Sequence, residues 1–268
     1  FRRPLDRCGG NLFIKKPFLE RVKPVPLLTY DAVLRMYTSE YHGIKALAKH
    51  KWWFPLYSNV RLAGVVADIM CDGHLQAEKL RIDYTAKRVT ELQRFNREIT
   101  GLFGVRGVVR RNVTNRYESY NLGVNCRPLG RTLLLVGVPA GPKVFTPFRI
   151  PLWVRDDKAF FGRFMNRFVS CEGCIDLQGK CVDMDMYKSE GLIAHNLRFF
   201  EDIRECLSRH FGIATTRPFV KGVSVRKDGR ITRGVHLKIK RKESLRRFAR
   251  HIGIEDEEKG GRLQAILS

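Results

Sequence analysis

The chain has 268 residues, 44% hydrophobic and 10% aromatic, which is enough apolar material for a sizeable core and too much for a disordered chain. Lys and Arg number 50 against 27 Asp and Glu, a net charge of +23. Solubility alone asks for a net of roughly 2–8 in a small domain, so a polyanionic partner is expected, nucleic acid first.

Seven scattered cysteines, an odd number, argue against a secreted disulfide framework. No apolar run reaches the ~18 residues of a membrane span, and no signal-peptide core opens the chain. An intracellular protein, cytoplasmic or at the nucleoid, is the expectation. The spacing of Cys171, Cys174 and Cys181 invites a zinc reading, but no second pair with ligand spacing accompanies it.

Residues 1–58 form a basic extension, with eleven Lys and Arg against four Asp and Glu. Pro24 and Pro26 punctuate an irregular opening. Tyr30–Tyr37 and Gly43–Lys49 read as two short helices joined by a polar turn. They loosely resemble a helix-turn-helix, with Lys45, Lys49 and Lys51 turned to phosphates. A helical pair packing Trp52, Trp53 and Phe54 onto the main body is an equal reading. Both hold if the segment is a helical clip, packed at one end and touching DNA at the other.

Residues 59–150 read as a first repeat. A helix begins near Asn59 and runs through Val65-Val66-Ala67-Asp68-Ile69-Met70-Cys71-Asp72, with Gly73 as its stop. Ala63, Ala67 and Cys71 recur at i, i+4 and i+8 and leave one face nearly flat, so another helix can approach closely. Asp72 sits where the helix dipole disfavours a carboxylate, which suggests either a cation beside it or an accident of sequence. Strands are predicted at His74–Ile82 and Asp83–Ala86, then an amphipathic helix over Val89–Phe103 with Leu92, Phe95, Ile99 and Leu102 on its inner stripe. Val105–Arg111 and Arg116–Val124 make a hairpin around Asn112–Asn115, and a short helix follows at Leu129–Val136. The Gly- and Pro-rich stretch from Ala140 to Pro151 marks a linker.

Residues 151–268 repeat the order. A helix over Asp157–Cys171 ends in Cys171-Glu172-Gly173, 100 residues after the first such ending. Cys174–Lys188 carries strands, and Ile193–Phe211 is a helix with Leu197, Phe200, Ile203 and Leu207 inside. Val220–Lys227 and Arg230–Lys240 flank the hairpin turn Asp228-Gly229. Glu243–Ile252 is a closing helix, and a polar tail follows Ile254. Two helices packed by their flat faces bring Asp72 and Glu172 side by side.

Val65–Gly73 and Met165–Gly173 resemble two copies of the motif that names the LAGLIDADG homing endonucleases. Ala67 takes the motif's glycine, Cys71 its second alanine, and Asp72-Gly73 its closing pair. In the second copy Cys171-Glu172-Gly173 fits, whereas Arg167 stands where a small residue is expected. Either that helix turns to use Gly162, Asn166 and Ser170, or Arg167 snorkels out of the contact.

The resemblance implies an α+β fold of two pseudo-symmetric αββαββα repeats, with antiparallel saddle-shaped sheets packed through the two motif helices. It further implies a monomeric, intron-encoded, site-specific double-strand DNA endonuclease that binds a long, partly pseudo-palindromic site. Cleavage would cross the minor groove and leave short 3′ overhangs. Asp72 and Glu172 would hold Mg²⁺, with Cys71 and Cys171 beside them among the metal-site residues. Mn²⁺ would substitute, and Ca²⁺ would bind without supporting cleavage.

Phosphodiester hydrolysis needs an activated water and charge neutralisation at phosphorus, and paired carboxylates with divalent ions supply both. The resemblance places a site lysine at the end of the second hairpin, at Lys240, with Asn125 as its counterpart in the first half. Asp68 is expected to be solvated or capping, and His74 stands near the acids. One face of each hairpin would carry polar side chains into the major groove. Candidates are Arg81, Asp83, Lys87, Arg110, Asn112 and Arg116, then Asp183, Asp185, Lys188, Lys221, Arg226, Lys227, Arg230 and Arg233. The cluster Lys238–Arg250, including Lys238 and Lys242, suits phosphate contact. Rival readings are an RNA-binding intron maturase of the same fold and a noncatalytic DNA-binding regulator. No splicing signature flanks the repeats, so a self-splicing domain is not expected.

Overall fold

In the computed structural model, residues 25–112 and 119–268 are described. Arg116 and most of the turn before it lie outside the described residues, as does Pro24. Helices α1 (Tyr30–Leu34) and α2 (Glu40–Leu47) are capped by the side chains of Thr29 and Ser39, and a 3₁₀ turn over Ala48–Trp53 follows. Helix α3 (Val60–Met70) starts where the Asn59 side chain accepts from Leu62 N at 2.9 Å, satisfying a donor that has no carbonyl inside the helix.

The first repeat continues as β1 (Gly73–Leu75), β2 (Ile82–Ala86), α4 (Val89–Phe103), β3 (Val108–Asn112), β4 (Ser119–Val124) and α5 (Arg127–Leu135). A one-turn α6 (Leu152–Arg155) leads into α7 (Lys158–Glu172), which Asp157 caps. The second repeat is then β5 (Gly173–Asp176), β6 (Cys181–Ser189), α8 (Ile193–Phe211), β7 (Phe219–Val225), β8 (Ile231–Ile239) and α9 (Lys242–His251). The polar tail is no tail: α10 (Glu257–Leu267) begins where Asp256 accepts from Lys259 N at 2.9 Å.

Both halves therefore run αββαββα. Each holds a four-stranded antiparallel sheet of matching order, β1-β2-β4-β3 and β5-β6-β8-β7. Period-two alternation sets each sheet's inner face: Ile82 and Tyr84 with Leu122 and Val124 in the first, Val182 and Met184 with Leu237 and Ile239 in the second. Onto these faces pack Leu92, Phe95, Ile99 and Phe103 of α4 and Phe200, Ile203 and Leu207 of α8. The α4 stripe ends on Phe103 rather than on the half-buried Leu102.

Helix α3 is buried from Leu62 to Met70 because it is sandwiched between its own half and α7. The contact is close. A Cβ on Gly64 would come within 2.8 Å of Arg163 Nε.

The sequence offered two fates for Arg167, and neither occurs. The side chain is 1% exposed and donates from Nε to Asp68 at 2.8 Å, from Nη2 to Glu91 at 3.1 Å and from Nη1 to Glu255 at 2.9 Å. Asp68, expected to be solvated or capping, is 0% exposed and also accepts from Arg94 Nη1 and Nη2 at 2.9 Å. A small-residue position thus became an ion-paired one, since a buried guanidinium is tolerable only with carboxylates around it.

Candidate active site and nucleic-acid interface

The two motif helices deliver their acids differently. Helix α3 stops at Met70, and Cys71 leaves helical geometry (φ −99°, ψ −96°), so Asp72 stands beyond the helix, exposed. Helix α7 runs on through the half-buried Glu172. The Cys171 thiol donates to Asp72 and contacts the buried Cys71 thiol. The Tyr84 hydroxyl lies 3.9 Å from Cys171 Sγ. Burial pushes the Glu172 carboxyl up to about 7, opposed by Lys143 and reinforced by the charge of Asp72. Crowding raises Asp72 as well, although its side chain opens to water; the Cys171 thiol, Lys143 and Lys259 pull it back.

Two lysines that the sequence reading passed over supply the opposing charge. Lys259 of α10 donates to the carbonyls of Ser170 (2.7 Å) and Cys171 (3.2 Å) in the last turn of α7, and to that of Val169 (3.4 Å), which also accepts from Gly173 N. Lys143 comes from the linker. That segment runs beside the open edge of β1, where Ala140 bridges Leu75 and Gly141 N donates to the Leu75 carbonyl. Lys143 and Glu172 line one pocket together with Asp185 and Lys188. Asp72 lines another, a cleft of about 720 Å³ whose walls include Arg88, Cys174, Lys259 and Arg262.

Strand register corrects the position given to Lys240. Gly73 pairs with Tyr84, so Asp72 neighbours Thr85, and Thr85 pairs with Asn121. In the second half Glu172 neighbours Asp185, which pairs with His236. Asn125 and Lys240 do follow equivalent residues, Val124 and Ile239, facing Ile82 and Val182. They lie four positions from Asn121 and His236, however, about 13 Å along the strand. Both are exposed, and Lys240 acts on Cys181. The lysines gathered at the acids are Lys143 and Lys259.

The thiols are corrected too. Cys71 is buried, Cys171 is hydrogen-bonded to Asp72, and the Cys171 carbonyl is taken by Lys259. Soft sulfur also suits Mg²⁺ poorly. The charge of Asp72 raises Glu172, a repulsion that a hard divalent cation held by the two carboxylates would relieve. Among the described residues no three His, Cys, Asp or Glu converge on one point. Phosphate and water oxygens would have to complete the ion's shell.

The sheet faces turned away from the core carry most of the remaining candidates. Lys87 and Arg110 are exposed, as are Lys221 within β7, Arg226, Lys227 and Arg230 at the β7–β8 turn and Lys242 at the start of α9. Arg226 and Arg230 reach over the Phe145 ring at 5.5 and 4.6 Å. Others already pair within the protein. Arg81 binds Asp83 at 2.9 Å, Lys238 binds Asp183 at 2.8 Å, and Arg233 binds Glu190 at 2.9 Å. Asn112 is half-buried opposite Ser119.

Lys188 departs outright from its predicted place in the groove. It is 3% exposed, on the core face with Met184 and Met186, while Asp183, Asp185 and Tyr187 occupy the other face. Its ammonium donates to the Lys143 and Thr146 carbonyls and lies 3.7 Å from the Phe148 ring centre. Burial lowers its pKa to about 7. Its role is to fasten the linker that carries Lys143.

No protein-family model matches the chain. The chain is similar to a tRNA-splicing ligase RtcB of Methanopyrus kandleri, 28% identical over 218 residues, covering 74% of this chain and 21% of the ligase. It spans about a fifth of the length of that curated relative. Similar solved structures include variants of the homing endonuclease I-DmoI (TM-score 0.48, 14% identity, 77% of this chain and 99% of that one). Another is full-length DUF199/WhiA from Thermatoga maritima (TM-score 0.46, 14% identity, 82% and 65%). The homing endonuclease I-WcaI bound to its DNA recognition sequence is a third (TM-score 0.42, 9% identity, 75% and 85%). Among the described residues, no helix is long and apolar enough to cross a membrane.

Proposed function

We propose that the chain is a site-specific, divalent-metal-dependent endonuclease acting on double-stranded DNA. The observation that carries this reading is the pairing of Asp72 and Glu172 at the ends of two close-packed helices, each acid raised by its surroundings, between two equivalent sheets of a strongly basic chain. A divalent ion such as Mg²⁺, bound by these carboxylates, would activate water and offset charge at the scissile phosphate. Lys143 and Lys259 offset phosphate charge from either side of the acids. Asp185 and His236 stand next to Glu172 in register, as Thr85 and Asn121 do beside Asp72, and these flank the bases nearest the cut.

One observation favours a second reading. Lys143 and Lys259 already bring two positive charges to the acids, as a noncatalytic DNA-binding protein would need for its site to tolerate a phosphate backbone. A plasmid library with randomised inserts, incubated with Mg²⁺ or with EDTA and sequenced at any new ends, separates the two. Metal-dependent cutting at one sequence, abolished in Asp72→Asn and in Glu172→Gln, is the expected result. Binding of one sequence without cutting in Mg²⁺ or Mn²⁺ would establish the second reading.

A further inference from the structure

Residues 27–58, ahead of α3, have no part in the acid site, yet they are firmly placed. Trp53 is 4% exposed, donates from Nε1 to the Phe103 carbonyl at 2.8 Å, and stacks on His50 with ring centres 4.1 Å apart. Val33, Leu47 and Leu56 join the core, and the Arg131 guanidinium of α5 lies 3.9 Å from the Tyr37 ring centre. The other side of the same segment stays open. Along α2 and the following 3₁₀ turn, Tyr41, Ile44, Lys45, Lys49, Lys51 and Trp52 are all exposed, with Tyr41 at 69% and Trp52 at 63%. Tyr41, Lys45, Lys49 and Trp52 fall four, four and three apart and so share one stripe, with Ile44 and Lys51 beside it. Lysines interleaved with open aromatic rings suit a phosphate backbone with sugar or base faces beside it.

Its position extends the groove. His50 Nε2 lies 4.0 Å from Cys126 Sγ. Cys126 follows β4, and β4 leads there from Asn121, which belongs to the Asp72 row. That path covers about 17 Å of strand, so the stripe stands at the end of the first sheet remote from the acids. Among the described residues such a module occurs once, ahead of the first repeat.

We infer that this stripe is a separate nucleic-acid contact, which grips the backbone of the duplex beyond the first-half end of the target and makes the bound site longer on one side. The inference rests on the chain binding duplex DNA but not on its cutting it. The test is hydroxyl-radical footprinting and salt-dependent affinity on a duplex selected by the wild type from a randomised pool. The triple variant Lys45→Ala/Lys49→Ala/Lys51→Ala and the single variant Trp52→Ala are compared with it.

The triple variant should lose protection at one end only and keep the central footprint. Its salt slope should fall by about 0.9 for each phosphate no longer neutralised, up to about 2.7. Trp52→Ala should shorten the same end. Because these side chains are exposed, unfolding midpoints should stay close to wild type. An unchanged footprint and slope would overturn the inference and leave the stripe to a protein partner; equal loss at both ends would overturn it too. A wild type that selects no duplex would remove both this contact and the functional reading.

Discussion

Arg167 shows what one residue does to a packed seam. Its guanidinium is shared by Asp68, Glu91 and Glu255, and Asp68 is wholly buried between it and Arg94. Arg167→Met fits the space but leaves Asp68 with one cation and Glu91 and Glu255 short of theirs. Urea unfolding should register a loss of about 3–5 kcal/mol, the range for breaking a buried ion pair. A loss under about 1 kcal/mol would mean that Arg94 alone suffices. Nothing in the residue string announced this network, because Asp68, Arg94, Arg167 and Glu255 are spread over 187 residues and only the fold joins them. Lys188 was more legible. Counting from Asp183 and Asp185 by twos reaches Tyr187, so alternation already put Lys188 on the core face.

Glu172 permits a pH test at the same scale. Its folded pKa lies near 7 against an ordinary 4.5, so the native state holds that proton more tightly than the unfolded chain. The resulting stability is complete below about 4.5 and is lost as pH rises through about 7. Glu172→Gln should flatten the dependence of the unfolding midpoint across that window. An unchanged slope would show that Glu172 titrates at its ordinary value.

At the scale of elements, the glycine closing each motif has a packing cause. A Cβ on Gly173 would meet the Val169 carbonyl oxygen at 2.5 Å, and one on Gly73 would meet Ile69 Cα at 2.7 Å. Gly173 has ordinary extended dihedrals (φ −84°, ψ 145°), so closeness rather than backbone freedom excludes a side chain there. The strand starts directly against the last helical turn, which is what holds each acid at the seam. Gly173→Ala should cost about 1–3 kcal/mol, as overpacking does, and should weaken any function of Glu172 more than one of Asp72. Thermal unfolding and metal binding by calorimetry would check the two effects.

Elements with a strong period were readable: the bounds of α4 and α8 follow from their apolar stripes and from Gly104 and Gly212 at their ends. Helix α10 was not read, although Asp256 followed by Glu257 and Glu258 is a helix-start signal. Gly260 and Gly261 inside it hid the period. With α10 went Lys259, and Lys143 was hidden in a Pro- and Gly-rich linker whose path depends on Lys188.

For the whole molecule, the departure from twofold symmetry matters most. The sheets repeat in strand order, yet Asp72 stands past a broken helix end in open water while Glu172 remains helical and holds a proton up to about pH 7. The lysines are unlike as well, one on a strap fastened by Lys188 and the other on α10, which the Arg88–Asp256 pair fastens. On the proposed reading each acid faces one strand of a duplex that is itself nearly symmetric. A unit below pH 7 Glu172 is largely protonated and binds a cation poorly, whereas Asp72 stands open to water beyond its helix. One strand should then be cut faster, and nicked circles should accumulate from a supercoiled target plasmid. A unit above pH 7 Glu172 is charged, and linear product should appear with little nicked intermediate. Gel-resolved time courses at the two pH values, with strand-specific end labels, would measure it. Equal strand rates at the lower pH would mean that the two acids act as one shared site, and that the asymmetry of the protein does not reach the DNA.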